Sequence, residues 1–232
     1  MKRDTILRST VGALAAGAIA LLAAGPAQAA AWSSSDRWAS WSNGTYTIYN
    51  DGWGSHYGYQ SLWVNSPSNW GVWSQQTYTG GIESYPNVTR GVNRNINSLS
   101  YVSSSFNVSD PSAGAYETAY DIWTQDNANE IMIWTDVHNV GPLGSNVGSL
   151  SLDGRNYTVY KGWNGANNVF SFVDSSRVTS GTYNILDILK WIQNTKGWMS
   201  NETLGNVQFG WEITTENPGQ NFVVNSYSVS FG

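Results

Sequence analysis

Three segments of this chain alternate apolar and polar side chains with a period of two, a pattern that paired β-strands satisfy and helices do not. In Glu130–His138 the odd members Ile131, Ile133 and Val137 are aliphatic, leaving Glu130, Met132, Trp134, Asp136 and His138 on the other face. In Val207–Thr214 the apolar set is Val207, Phe209, Trp211 and Ile213, opposite Gln208, Gly210, Glu212 and Thr214. In Tyr116–Trp123, Asp121 shares a face with Ala119 and Trp123, opposite Ile122. Clusters such as Asn50-Asp51-Gly52, Ser66-Pro67-Ser68, Asp110-Pro111-Ser112 and Asp153-Gly154 punctuate strand-like runs along the rest of the chain. Many short strands between such turns predict an all-β sandwich or barrel.

One segment departs from this period. Ile185, Ile188, Leu189 and Ile192 fall at helical spacing, with Asn184 as a candidate cap and Gly197 as a stop, which predicts one short α-helix over Ile185–Thr195. A helix of this kind packs on a sandwich as scaffold.

The first residues read as an export signal. Lys2, Arg3 and Arg8 precede an uncharged run from Val11 to Ala24, and Pro26-Ala27-Gln28-Ala29 supplies the small residues of a cleavage site. The expectation is a signal peptide over 1–29, a single domain over 30–232, and a secreted, extracellular product without a membrane span. Residues 1–29 hold three bases and one acid, so the mature chain keeps eight bases and fifteen acids and its formal charge moves from −5 to −7. An acidic surface repels nucleic acid and anionic lipid, while a neutral polysaccharide is indifferent to it. Cysteine is absent, which removes disulfides, thiol nucleophiles, cysteine-held zinc and iron–sulfur clusters together. His56 and His138 are the only histidines, too few for a zinc site and in no recognisable nucleophile setting. No metal and no cofactor are expected.

Glu130, Glu212 and Asp121 stand out because carboxylates are disfavoured in strands, and each has aromatic neighbours in a chain with thirteen Trp and thirteen Tyr. Aromatic side chains can stack on the CH faces of sugar rings as well as fill a core. If Glu130 and Glu212 meet across a groove, they supply what glycoside hydrolysis needs: one carboxyl to protonate the leaving oxygen and another to act as base or nucleophile at the anomeric carbon. The missing side chain of Gly210 is expected to let a ligand approach the sheet beside Glu212.

The residues also resemble those of glycoside hydrolase family 12. The matching stretches run in order through Asn50-Asp51-Gly52-Trp53-Gly54, Glu83-Ser84-Tyr85-Pro86-Asn87, Ala119-Tyr120-Asp121-Ile122-Trp123 and Asn129-Glu130-Ile131-Met132-Ile133-Trp134. They continue through Gly141-Pro142-Leu143-Gly144, Trp163-Asn164-Gly165, Val169–Val173 and Gln208-Phe209-Gly210-Trp211-Glu212. The resemblance implies a two-sheet jelly roll with its substrate cleft on the concave sheet, and a secreted retaining endo-β-1,4-glucanase of the cellulase type. It implies Glu130 as nucleophile, Glu212 as general acid then general base, and Asp121 as the carboxyl that supports Glu130. It further implies Trp53 stacking on a glucosyl ring, Asn50 as a hydroxyl contact, and Met132 and Pro142 lining the cleft. Ile213 stands where the family usually has Pro.

The expected partner is a β-glucan polysaccharide, with the chain acting as a monomer. Among enzymes the alternatives are a xyloglucan-specific endoglucanase or a xylanase of the same fold. A non-catalytic glucan-binding lectin would explain the aromatics but not two glutamates on one groove face.

Overall fold

The computed structural model describes residues 30–232, so the expected signal peptide lies outside the described residues. In chain order the strands are β1 (Trp32–Ser34), β2 (Ser40–Ser42), β3 (Tyr46–Tyr49), β4 (Tyr59–Ser66), β5 (Asn69–Gln76), β6 (Asn87–Asn95) and β7 (Val102–Ser109). They continue with β8 (Ala115–Thr124), β9 (Asn129–His138), β10 (Ser145–Leu152), β11 (Arg155–Trp163), β12 (Asn168–Asp174), β13 (Ser180–Asn184) and β14 (Thr203–Phe231). One sheet runs β1-β4-β5-β14-β7-β13, and the other runs β2-β3-β6-β14-β8-β9-β12-β11-β10. All pairs are antiparallel except β9 with β12. β14 belongs to both sheets: Thr203–Thr215 pairs with β6 and β8, and after a register shift between Glu216 and Gln220 the strand continues into the other sheet beside β5 and β7. This is the all-β, two-sheet jelly roll expected from the sequence.

The layer between the sheets is where the alternation sends the apolar side chains. Ile131 and Ile133 of β9, Tyr120 and Ile122 of β8, and Val207, Phe209, Trp211 and Ile213 of β14 are all fully buried there. They meet Leu62, Val64, Trp70, Val72 and Phe222 of the facing sheet. Each such side chain contributes about 1.5–3 kcal/mol by leaving water, which matters in a chain with no disulfide. Edge-on contacts lock the layer: Trp70 meets Trp211 with ring centroids 5.3 Å apart, and Tyr116 meets Phe222 at 4.9 Å.

The expected alternation of β9 fails past Trp134. Ala119 pairs with Trp134 but Thr118 pairs with Asp136, so Thr135 is an extra residue in β9, a β-bulge. A one-residue insertion exchanges the faces of everything after it. Val137, expected inside, is 40% exposed. Asp136 and His138, expected on the face of Glu130, turn the other way: Asp136 Oδ2 accepts from Arg177 Nε at 2.7 Å, and His138 stacks on Tyr116 at 4.7 Å.

The helix lies where its period predicts, with Ile185, Leu186, Ile188, Leu189 and Ile192 buried. α1 covers Ile185–Lys190, and the chain then widens into π-helical turns over Trp191–Lys196. Gly197, with φ +63°, ends it in the left-handed conformation that glycine adopts at low cost. Asn184 does not cap the helix by its side chain; its amide donates instead to Asp187 Oδ2 at 2.6 Å.

Candidate active site

β9, β8 and β14 lie side by side in the second sheet, and their outward faces floor a cleft of about 1030 Å³. On β9, Glu130, Met132 and Trp134 face it. On β8 they are joined by Glu117, Asp121 and Trp123, and on β14 by Gln208, Glu212 and Thr214. The pairing register places Trp123 opposite Glu130, Asp121 opposite Met132, and Glu117 opposite Glu212. Asp51 and Trp53, from the loop after β3, also line the cleft, as do Gly141, Leu143 and Asn164.

The structure therefore brings Glu130, Asp121 and Glu212 to one surface. Glu130 is nearly enclosed, and its Oε2 accepts a hydrogen bond from Asn164 Nδ2 at 3.0 Å. Burial, and after it the negative charge of Glu212, pushes the Glu130 carboxyl up to about 7, the Asn164 bond pulling it partly back. Asp121 Oδ2 accepts from Trp123 Nε1 at 2.8 Å, while its buried Oδ1 has no partner. Its carboxyl is held well above the ordinary range by burial first, then by the charges of Glu130 and Glu212. Burial also raises Glu212, against a hydrogen bond with Glu117 that lowers it. Asp51 is raised to about 6 by burial and by Glu212. Crowded carboxyls in a low-dielectric cleft retain protons at pH values where free ones are ionised, the condition for one of them to serve as an acid near neutrality.

Trp53 lines the cleft and is 48% exposed, so the residue is available to a ligand. Met132 also lines it, packed with Ala119, Trp134 and Val169. Asn50 does not: it is fully buried, its amide donating to Asp36 O at 2.8 Å and its Oδ1 accepting from Gln60 Nε2 at 2.9 Å. Both ends of that side chain are committed to the framework beneath the Trp53 loop. Pro142 is not among the lining residues, although Gly141 and Leu143 on either side of it are. Neither His56, stacked on Tyr78 at 3.9 Å, nor His138 lines the cleft. Among the described residues, no three His, Cys, Asp or Glu side chains are grouped to hold a metal ion.

Gly210 has a different role from the one its position suggests. A Cβ there would lie 2.0 Å from the carbonyl oxygen of Pro86, so the absent side chain admits the neighbouring backbone rather than a ligand. Ile213, one residue past Glu212, donates its backbone N–H to Ser84 O at 2.9 Å. A proline would have no such donor, and here the bond ties the end of the Glu212 segment to the loop carrying Tyr85.

Several cleft residues escaped the sequence reading. Glu117 has the parity of Asp121, four residues earlier in the same strand, and was available to the same argument. Asp51 and Asn164 lie in stretches that the family resemblance contains, but Asp51 read as a turn residue and Asn164 had no separate signal.

The chain is similar to known proteins over most of its described length. Residues 34–232 match the family model of Glycosyl hydrolase family 12. Endoglucanase S of Pectobacterium parmentieri is 33% identical over 202 residues, covering 74% of this chain and 76% of that protein. A probable xyloglucan-specific endo-beta-1,4-glucanase A of Aspergillus flavus is 31% identical over 215 residues, covering 84% and 88%. Among solved structures, the xyloglucanase domain of NopAA, a type three effector from Sinorhizobium fredii, in complex with cellobiose, superposes with a TM-score of 0.84 at 35% identity, covering 87% of this chain and 99% of that one. The native family 12 xyloglucanase from Bacillus licheniformis gives 0.79 at 26% identity, covering 87% and 100%. With the match spanning nearly every described residue and the paired carboxylates on its sheet floor, the chain belongs to glycosyl hydrolase family 12 and is a glycoside hydrolase.

Proposed function

We propose that this glycoside hydrolase is a secreted, retaining endo-β-1,4-glucanase that cuts internal bonds of cellulose-type glucans by double displacement. The observation that carries the reading is the convergence of Glu130, Asp121 and Glu212 on the floor of one cleft. Glu130 attacks the anomeric carbon as the bond to the leaving oxygen breaks, and Glu212 gives that oxygen its proton. The product is an ester between Glu130 and the sugar. Glu212, now ionised, takes a proton from water, whose oxygen displaces Glu130 and restores the original anomeric configuration. Asp121 supports Glu130 from the neighbouring strand, and Trp53 stacks on a sugar ring. Endoglucanase activity, which is attack within a chain, is named among the relatives. Export rests on the leader-like residues 1–29, and the chain acts as a monomer.

A xyloglucan substrate is the second reading. Gly81 and Gly141 border the cleft, and a Cβ on either would meet nothing within 4 Å, so these walls leave room for sugar branches. Several relatives are named for xyloglucan. Incubation with carboxymethyl cellulose, mixed-linkage β-glucan, xyloglucan and xylan, with sizing of products and proton NMR of the first anomer released, tests both readings. Internal cuts with a β-anomer first support the proposal; shortening of none of the four polymers overturns it in favour of a glucan-binding protein.

A further inference from the structure

Glu117 is a carboxyl that the double-displacement scheme leaves unused. It lies in β8 directly opposite Glu212 of β14, lines the cleft, and is almost wholly enclosed. Its buried Oε1 has no hydrogen-bond partner, and because directly opposed residues on one sheet face have Cβ atoms about 4.5–5.5 Å apart, its carboxyl stands beside that of Glu212. Two ionised carboxylates are acceptors only, so a bond between them requires that one keep its proton. A lone buried acid would be a costly element in a strand. Placed across from Glu212, it becomes one half of a proton-sharing pair.

We infer that Glu117 is a positioning residue for the acid–base step, its carboxylic O–H orienting the Glu212 carboxylate and steadying it once Glu212 has given up its proton. This rests on the reading of Glu212 as the acid–base group. When the glycosidic C–O bond breaks, its electron pair stays on the leaving oxygen, which receives the proton of Glu212. The negative charge left on Glu212 is then met by the Glu117 O–H, and the proton later taken from water restores the starting pair. The ionisation balance agrees in direction. Glu117 is held well above the ordinary carboxyl range by burial and then by Glu212, whereas the bond from Glu117 lowers Glu212. The other titratable groups facing the pair are Asp121 on β8, Glu130 on β9, Asp51 from the loop after β3, and Tyr85 before β6, whose O–H is donated to Ala119 O. All are acids, and none offers Glu212 a competing cationic partner.

The test compares Glu117→Met, which keeps the volume and removes the donor, with Glu117→Gln, which keeps a donor in its amide. The substrate is whichever of carboxymethyl cellulose and xyloglucan the unmodified enzyme cleaves faster, and kcat, KM, the pH profile and the thermal midpoint are measured. Loss of a hydrogen bond to a charged group predicts a fall in kcat of about tenfold to a hundredfold for Glu117→Met, with KM changed by less than about twofold. Without the donor, Glu212 holds its proton more tightly, so the alkaline limb of kcat/KM moves to higher pH. Glu117→Gln should return kcat to within about threefold of the unmodified enzyme and bring the limb back toward its position. A Glu117→Met enzyme whose thermal midpoint alone changes overturns the inference, and equal losses in the two variants overturn the donor role. Should Glu117→Met not fold, Glu117→Ala serves as the donor-free variant under the same criteria. The underlying assignment is judged separately: full turnover by Glu212→Gln, with Glu117 intact, would remove Glu212 from the acid–base role whatever the Glu117 variants do.

Discussion

Asn164, just beyond the end of β11, donates its side-chain amide to Oε2 of Glu130 at 3.0 Å, and so a turn residue helps set the ionisation of a strand residue. The bond favours the charged carboxylate, against the burial and the Glu212 charge that raise Glu130 to about 7. Asn164→Ala should therefore raise Glu130 further. As the proposed nucleophile, Glu130 must be ionised to attack, so the acidic limb of kcat/KM should shift to higher pH, with kcat reduced about tenfold at pH 6. A pH–rate profile of the variant checks this, and an unmoved acidic limb would count against the assignment of that limb to Glu130.

Glu130→Ala should lower turnover by about a thousandfold or more, since it removes the proposed nucleophile. Added azide should restore cleavage and give a glycosyl azide of inverted configuration, detectable by NMR. Turnover that survives the substitution would exclude Glu130 as nucleophile.

Trp53→Ala removes an exposed aromatic face from the wall of the cleft. Loss of one stacking contact predicts about a tenfold rise in KM for long oligosaccharides, with less effect on short ones that do not reach it. Kinetics on a ladder of cello-oligosaccharides measure this, and equal KM changes at all lengths would place the ring's contribution elsewhere.

Stability should fall as the pH rises from about 5 to about 7.5. Asp51 and Asp110 are raised to about 6 and Glu130 and Glu216 to about 7, in each case chiefly by burial. A raised folded-state value means that the native protein holds more protons than the unfolded chain between the ordinary carboxyl range and these values, so stability declines across that window as the protons leave. Calorimetry at pH 5 and 7.5 should give the higher midpoint at pH 5. Glu216→Gln, outside the residues lining the cleft, should narrow the difference, and a midpoint that climbs with pH would contradict the buried-carboxyl account.

Gly210→Ala should be costly despite its small size, because the new methyl would overlap Pro86 O, a backbone atom with little freedom to retreat. Overpacking of this kind costs about 1–3 kcal/mol, a drop in thermal midpoint of about 2–12 °C for a domain of this size. An unchanged midpoint would show that the β6–β14 contact can relax.

What could be read from the sequence was whatever depends on side-chain alternation within a single strand. Glu130, Asp121 and Glu212 were placed by parity against Ile131, Ile122 and Ile213, and each of those isoleucines is fully buried. The bulge at Thr135 was not legible, since it exists only as a mismatch between β9 and β8, and Thr135 itself is an ordinary strand residue. Gly210 and Asn50 misled for a related reason: Gly210 lies two residues before Glu212 and Asn50 next to Asp51, but what each answers to is a distant backbone, Pro86 for one and Asp36 for the other. Glu117 obeys the same alternation as Asp121, and only its pairing with Glu212 gives it meaning.

The long strand β14 has a consequence for how this enzyme comes into being. Thr203–Phe231 supplies a central member of each sheet and also carries Glu212, and it follows every other described strand in the chain. Partners as distant in sequence as β5 and β6 must wait for it, an arrangement of high contact order that slows folding. The cleft cannot form ahead of the sandwich, so hydrolytic competence should arise late and all at once. The recovery of activity during refolding would then report closure of the whole molecule rather than maturation of a local site.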